Sequence, residues 1–218
     1  MVEFPRGGFD NEVPRGDRKL PCALLVDTSG SICRYEDELR NGVRELVEGL
    51  KSNQATAAVV EVMLIFFDDE VRIGHPFTNV RSLEVPDFDT GGTTHLYEAL
   101  DVAYSELRTR QEQYVDSGIN SYAPFIVVLT DGLPTDSDNY GVVAKINGRH
   151  SEKKIVPYPF AIGGGADEQL LKQLRADGMT FRVNMENIGD IFEFVSVSLS
   201  SIAVDNNQAT LPPTISII

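Results

Sequence analysis

Short continuous apolar runs alternate along the chain with longer stretches in which apolar positions recur every three or four residues. The continuous runs, bounded by turn residues, read as strands buried on both faces. They are Ala23 to Val26, Val59 to Phe67, Pro124 to Leu129, Lys154 to Ile162 and Met179 to Val183. The periodic stretches read as amphipathic helices. Glu36 to Leu50 places Leu39, Val43, Leu46, Val47 and Leu50 on one side, and Leu96, Leu100, Ala103 and Leu107 mark a long second helix that ends by Gly118 to Tyr122. Asn139 to His150 is a weaker helix, Asp167 to Ala176 a short one, and Ile188 to Ala203 carries Ile188, Ile191, Phe192, Val195, Leu199 and Ile202 on one face. Asp68-Asp69-Glu70 is a turn, solvated in this reading, and Val71 to His75 pairs back as a hairpin edge. The residues around Ser52-Asn53 form a connection.

Strands apolar throughout and alternating with helices predict an α/β fold: a doubly wound, mostly parallel six-stranded sheet flanked by helices, with one antiparallel edge strand. In the strand order 3-2-1-4-5-6, the strand ending at Asp27 lies beside the one ending at Asp131, and ligands gather at that switch point. The expected division is an arm at 1–19, polar with Pro5 and Pro14, a domain at 20–204, and a tail at 205–218 to which no element is assigned.

Charge narrows the functions. The chain of 218 residues carries 33 acidic against 19 basic residues, a formal −14, which argues against nucleic acid because phosphate contacts need clustered Lys and Arg. No apolar segment is long enough for a membrane span, and the N-terminus lacks the apolar core of a signal peptide. Cys22 and Cys33 are too few for a disulfide framework and read as reduced thiols of a cytoplasmic protein. Arg15-Gly16-Asp17 is a chance tripeptide in this reading.

The chemistry concentrates in Asp27-Thr28-Ser29-Gly30-Ser31, where a buried strand ends in a carboxylate followed by two hydroxyls at alternate positions. Such a set offers only oxygen donors, which suits a hard cation such as Mg²⁺. Ser and Asp are also ordinary helix N-caps, so this stretch alone leaves both readings open. Two further stretches weigh toward the ion. Thr90-Gly91-Gly92-Thr93-Thr94-His95 makes a sharp turn into a helix, which Thr93 or Thr94 can cap. Thr130-Asp131-Gly132 repeats the apolar strand that ends in a carboxylate.

Together, Asp27-Thr28-Ser29-Gly30-Ser31, Gly91-Gly92-Thr93 and Thr130-Asp131-Gly132 resemble the three loops of a metal-ion-dependent adhesion site, the signature of von Willebrand factor A domains, over residues 20 to about 204. The resemblance implies that Ser29, Ser31 and Thr93 are hydroxyl ligands, with Thr94 in place of Thr93 if the register shifts by one. It implies that Asp27 and Asp131 bind the ion directly or through water. Mg²⁺ is the expected ion, with Mn²⁺ or Ca²⁺ as alternatives. A carboxylate from a protein partner would complete the octahedron. Leu20-Pro21, Thr130-Asp131-Gly132-Leu133-Pro134-Thr135-Asp136 and Val195-Ser196-Val197-Ser198-Leu199-Ser200-Ser201 further resemble the bacterial tellurite-resistance (TerY-like) branch. That branch is cytoplasmic and associated with stress-response systems that include kinase- and phosphatase-like partners.

Other chemistries fit less well. A haloacid-dehalogenase-type phosphatase needs a second Asp two residues after the first, where Ser29 stands. The Gly-x-Ser-x-Gly elbow of serine hydrolases is missing. Gly163-Gly164-Gly165 matches neither a dinucleotide fingerprint nor a P-loop. His95 is expected at the pocket rim, and Asp136 and Asp138 in a solvated acidic loop. The expectation is a metal-dependent protein-binding module without enzymatic activity. The alternative is a metal-assisted phosphohydrolase that uses the same Asp, Ser and Thr side chains.

Overall fold

The computed structural model describes residues 2–3, 18–203, 208–209 and 212–218. The elements in chain order are β1 (Val2–Glu3), β2 (Arg18–Asp27), α1 (Glu36–Ser52), α2 (Gln54–Val59), β3 (Val60–Phe67), β4 (Val71–Asn79), α3 (Leu96–Asp116), β5 (Asn120–Ser121), β6 (Phe125–Thr130), α4 (Val142–Ser151), β7 (Val156–Ile162), α5 (Glu168–Gln173), β8 (Phe181–Val183), α6 (Ile188–Ala203), β9 (Gln208–Ala209) and β10 (Ile215–Ile217). The main sheet runs β10-β8-β7-β6-β2-β3-β4, with β5 pairing beside β2. Its centre is parallel, and β4 returns antiparallel along β3 as the hairpin pattern predicts.

Two features differ from the sequence reading. The sheet has eight strands rather than six, because the two-residue β5 adds beside β2 and β10 in the C-terminal tail pairs with β8 through Ile215 and Val183, which leaves an antiparallel strand at each edge. The stretch after Ser52 is a short helix, α2, because the Asn53 side chain accepts from the backbone N–H of Ala55 and Thr56 and starts a new turn. Most of the expected arm at 1–19, including Arg15-Gly16-Asp17, lies outside the described residues. Val2–Glu3 pairs with Gln208–Ala209, and Arg18 and Lys19 already belong to β2.

Alternation along the strands divides the core in two. Leu20, Cys22, Leu24 and Val26 of β2 face one layer, with α1 and α6; Ala23 and Leu25 face the other, with α3, α4 and α5. Strands β3 and β6 divide in the same way, so each strand residue is covered and the runs need no polar face. The chain leaves β2 to cross one face and reaches β6 from the other, which puts the switch point between these neighbours. Their register, Val26 opposite Leu129, brings Asp27 and the residues after Thr130 to the same sheet edge. Among the described residues no helix is long and apolar enough to cross a membrane.

Candidate metal centre

Asp27 ends β2 fully buried, and both of its oxygens are engaged. Oδ1 accepts the backbone N–H of Ser29 at 2.9 Å, a turn closed by the side chain, and Oδ2 accepts the Thr130 hydroxyl at 2.5 Å from the neighbouring strand. Burial pushes its carboxyl up to about 6; the bonds from Ser29 and Thr130 pull the other way, and the Asp131 charge adds to the rise. Asp131, first residue of the loop after β6, is also raised by burial, against the Ser31 hydrogen bond that favours its ionised form.

Ser29 Oγ and Ser31 Oγ lie 3.0 Å apart, and Ser31 Oγ donates to Asp131 Oδ1 at 2.7 Å. Neighbouring ligands of an octahedron with Mg²⁺–oxygen bonds of about 2.0–2.1 Å stand about 2.9 Å apart. The two contacts, which are O–H···O hydrogen bonds here, match that spacing. The donor set fits the ion, since every polar atom in it is an oxygen. Among the described residues no group of three or more His, Cys, Asp or Glu is placed to hold a metal, so this centre depends on its hydroxyls as much as on its two carboxylates.

Of the five predicted ligands, Asp27, Ser29, Ser31 and Asp131 come together. Thr93 does not join them: its backbone N–H and its hydroxyl both donate to Asp69 Oδ1, at 2.5 and 2.8 Å, and its side chain is exposed. Thr94 is buried, and a Cβ placed on Gly132 would lie 3.3 Å from Thr94 Oγ1 and 3.9 Å from Ser31 Oγ, so this hydroxyl faces the cluster. Gly92 explains the offset. It holds φ +71, and a Cβ there would meet the Asp69 carboxylate at 2.5 Å, so the left-handed glycine turns Thr93 onto Asp69 and Thr94 inward.

The acidic turn after β3 is exposed at Asp69 and Glu70, as a solvated turn would be, but Asp68 is buried and acts as a brace. Asp68 accepts from the Thr28 hydroxyl at 2.9 Å and from the Arg72 guanidinium, while Thr28 donates its N–H to Phe67 O and accepts from Gly91 N. Asp136 and Asp138, both half-buried, do more than face solvent: Asp136 caps α3 through the N–H of Tyr97 and Glu98, and Asp138 caps α4 through Val142 and Val143. The cap that Thr93 or Thr94 was expected to supply to α3 thus comes from another loop. The Asx-turn chemistry of an Asp two to four residues before a helix is the signal that finds Asp138; nothing local reveals Asp136. His95 donates its backbone N–H to Asp68 O at 2.9 Å, and its Nδ1 lies 3.4 Å from the Glu98 carboxylate.

The model of the von Willebrand factor type A domain family matches residues 23–195. No curated protein matches. Solved structures share the fold at low identity. A von Willebrand factor type A protein from Catenulispora acidiphila is 11% identical at a TM-score of 0.62, covering 84% of this chain and 43% of that one. The ArnB paralog VWA2 from Sulfolobus acidocaldarius is 16% identical at 0.57, covering 81% and 45%. Proximal thread matrix protein 1 from the mussel byssus, solved with its metal-ion-dependent adhesion site occupied by zinc, is 14% identical at 0.56, covering 84% and 48%. The chain spans less than half the length of each of these three solved chains.

Proposed function

The chain belongs to the von Willebrand factor type A family, and from that premise we propose that it is a metal-ion-dependent protein-binding module rather than an enzyme. The observation that carries the reading is the contact of Ser29, Ser31 and Asp131 oxygens at 2.7 and 3.0 Å beside a buried Asp27. Ser29 and Ser31 present neutral donors, so the site holds two charges rather than four. When bound, a divalent ion of this kind supplies an electrophilic position that takes one further carboxylate. Asp27 is oriented by Thr130 and Ser29, and Asp131 by Ser31, so the residues of this chain set the position at which a partner's Asp or Glu completes the shell. The zinc-occupied site of the mussel protein supports a divalent ion; the oxygen-only donor set favours Mg²⁺.

The finer placement rests on the Leu20-Pro21, 130–136 and 195–201 stretches. On that resemblance we place the module in the cytoplasm, within a bacterial stress-response or tellurite-resistance system.

A pull-down from native cells with the full chain, run in Mg²⁺ and in EDTA, tests the binding mechanism. A partner held only in Mg²⁺ and lost with Asp27→Ala is expected; partners retained in EDTA would replace it with a charge-driven scaffold. A generic phosphoester assay tests the absence of turnover, and Mg²⁺-dependent hydrolysis abolished by Asp27→Ala would overturn it.

A further inference from the structure

Beside the metal centre lies a groove of about 510 Å³ that the proposed ion does not use. Phe66 and Phe88 are stacked at 4.4 Å between ring centroids, and Pro86 and Ile73 extend this apolar floor. Ile73 is 44% exposed. Gly74 makes the floor possible: a Cβ there would meet the Phe66 ring at 2.3 Å and Pro86 Cγ at 3.3 Å. Around the apolar floor stand Asp68, Asp69, Asp87 and Asp89; of the nearby guanidinium groups, Arg72 is taken by Asp68, Arg44 pairs with Asp87, and Arg40 lies over the Phe88 ring. Asp87 and Asp89 are both exposed, and the charge of Asp89 acts on Arg72.

The groove is held open by ties to the rest of the fold. Glu36 of α1 accepts from Thr90 N and Thr90 Oγ1, and Arg40 donates to Phe88 O while its guanidinium lies 5.4 Å from the Phe88 ring centre. Gly91 and Gly92 form the shared wall with the metal centre: Gly91 N donates to Thr28 O, and Gly30 N to Gly92 O. The groove therefore starts one backbone thickness from Asp27 to Ser31.

We propose that this groove takes an arginine or lysine side chain of the same protein partner whose carboxylate completes the metal centre. The chemistry is complementary at both ends of such a side chain. Its methylene stem fits the Ile73–Pro86 part of the floor, where apolar surface is accessible, and its cationic head faces the exposed carboxylates of Asp87 and Asp89. Overall charge points the same way. A surface at −14 repels a purely acidic partner, and a basic residue next to the coordinating acid removes that repulsion at the contact. The proposal rests on the reading of the neighbouring site as protein-binding, but the groove recognises its ligand without the ion.

Amide shifts of the ¹⁵N-labelled full chain, titrated with acetyl-Ala-Arg-Ala-amide and acetyl-Ala-Gln-Ala-amide in EDTA, test it. The arginine peptide should move the Gly74, Asp87 and Asp89 amides saturably and bind about fivefold more tightly than the glutamine peptide. The double variant Asp87→Asn/Asp89→Asn should remove most of that difference, as should moderate salt. Both side chains are exposed, so the variant keeps its fold. Equal binding of the two peptides, or an unchanged preference in the double variant, overturns the proposal. Titration of the same samples with Mg²⁺, read at the Ser29 and Ser31 amides, reports the metal centre separately. Failure of that arm with the arginine preference intact sinks the metal reading and leaves the groove standing.

Discussion

Ser31 donates its hydroxyl to Asp131 across 2.7 Å, joining two loops that are 100 positions apart in the chain. The bond ties the β2 exit to the β6 exit, beside the Asp27–Thr130 bond that joins the same two strand ends. It is a surface tie, made after the strands have placed their ends, so it determines binding more than folding.

Ser31→Ala should therefore abolish saturable Mg²⁺ or Mn²⁺ binding in isothermal titration while costing about 1.5–3 kcal/mol of stability, the scale of one hydrogen bond to a charged group. Far-UV circular dichroism and the melting curve in EDTA check the second half. A variant that fails to fold would show that the hydroxyl braces the loops rather than serving the ion.

Asp27 gives the pH dependence. Its carboxyl stands at about 6 in the folded chain against an ordinary 3.8, with burial the main cause. Between those values the folded state holds more protons than the unfolded one, so stability in EDTA should fall as pH rises from 3.8 to about 6, and then level. Ion affinity runs the other way, since a proton on Asp27 competes with the ion: it should climb by up to about tenfold per pH unit below the folded pKa and flatten above it. Chemical unfolding and Mn²⁺ titration across pH 4.5–7.5, with Asp27→Asn as reference, decide it; equal slopes in the two proteins would remove Asp27 as the cause.

Adjacent glycines in the β4–α3 loop should behave differently. Gly92→Ala forces φ +71 on a residue with a Cβ and drives that Cβ into Asp69, so it should cost about 1–3 kcal/mol. At Gly91 a Cβ meets nothing within 4 Å, and Gly91→Ala should leave the melting temperature nearly unchanged. Thermal melts of both variants make the comparison, and equal losses would contradict the role given to Gly92.

A buried cluster at the other end of the sheet provides the control. Glu61 accepts from the Arg110 guanidinium at 2.6 and 2.9 Å and from Tyr114 OH at 2.5 Å, with Lys19 at 3.8 Å. Glu61→Ala takes the partner from buried Tyr114 and from Arg110 and Lys19, which remain about a quarter exposed, and should cost about 1–3 kcal/mol. Glu61 is the second residue of β3, at the opposite end of the strands from the proposed ion, so Mn²⁺ affinity of the folded fraction should not change. A parallel loss of affinity would mean that the two ends of the sheet are coupled.

The six strands, their order and the convergence of Asp27 with Asp131 were legible because a buried parallel strand is a continuous apolar run and its helices have a clear apolar face. Helix α6 was placed at Ile188 to Ala203 by the same periodicity. What escaped was settled by single hydrogen bonds between distant segments. The β10 pairing depends on main-chain groups whose identity leaves no pattern. The bonds from Asp68 to Thr28 and from Asp136 to the start of α3 span 40 and 38 positions, and an acidic loop looks the same in sequence whether it is solvated or capping. The Thr93 and Thr94 assignment turned on the φ of one glycine.

That assignment yields the last prediction. Thr93 spends both its N–H and its hydroxyl on Asp69, whereas Thr94 is buried, with its N–H on Thr135 Oγ1 at 3.1 Å and its carbonyl accepting from Thr135 N at 2.9 Å. Those two backbone bonds tie Thr94 to the Asp131 loop and point its hydroxyl at the cluster. Thr94→Val keeps the shape and removes the oxygen, so it should weaken Mg²⁺ or Mn²⁺ binding by about tenfold or more. Thr94→Ser should restore most of that affinity, which a merely steric role for the threonine would not allow. Thr93→Val breaks only the Asp69 brace; its effect should be about twofold on affinity, with a small loss of stability. Isothermal titration of the three variants decides the matter. If Thr93→Val abolishes binding and Thr94→Val does not, the hydroxyl ligand is Thr93, and the loop must release it from Asp69 when the ion binds.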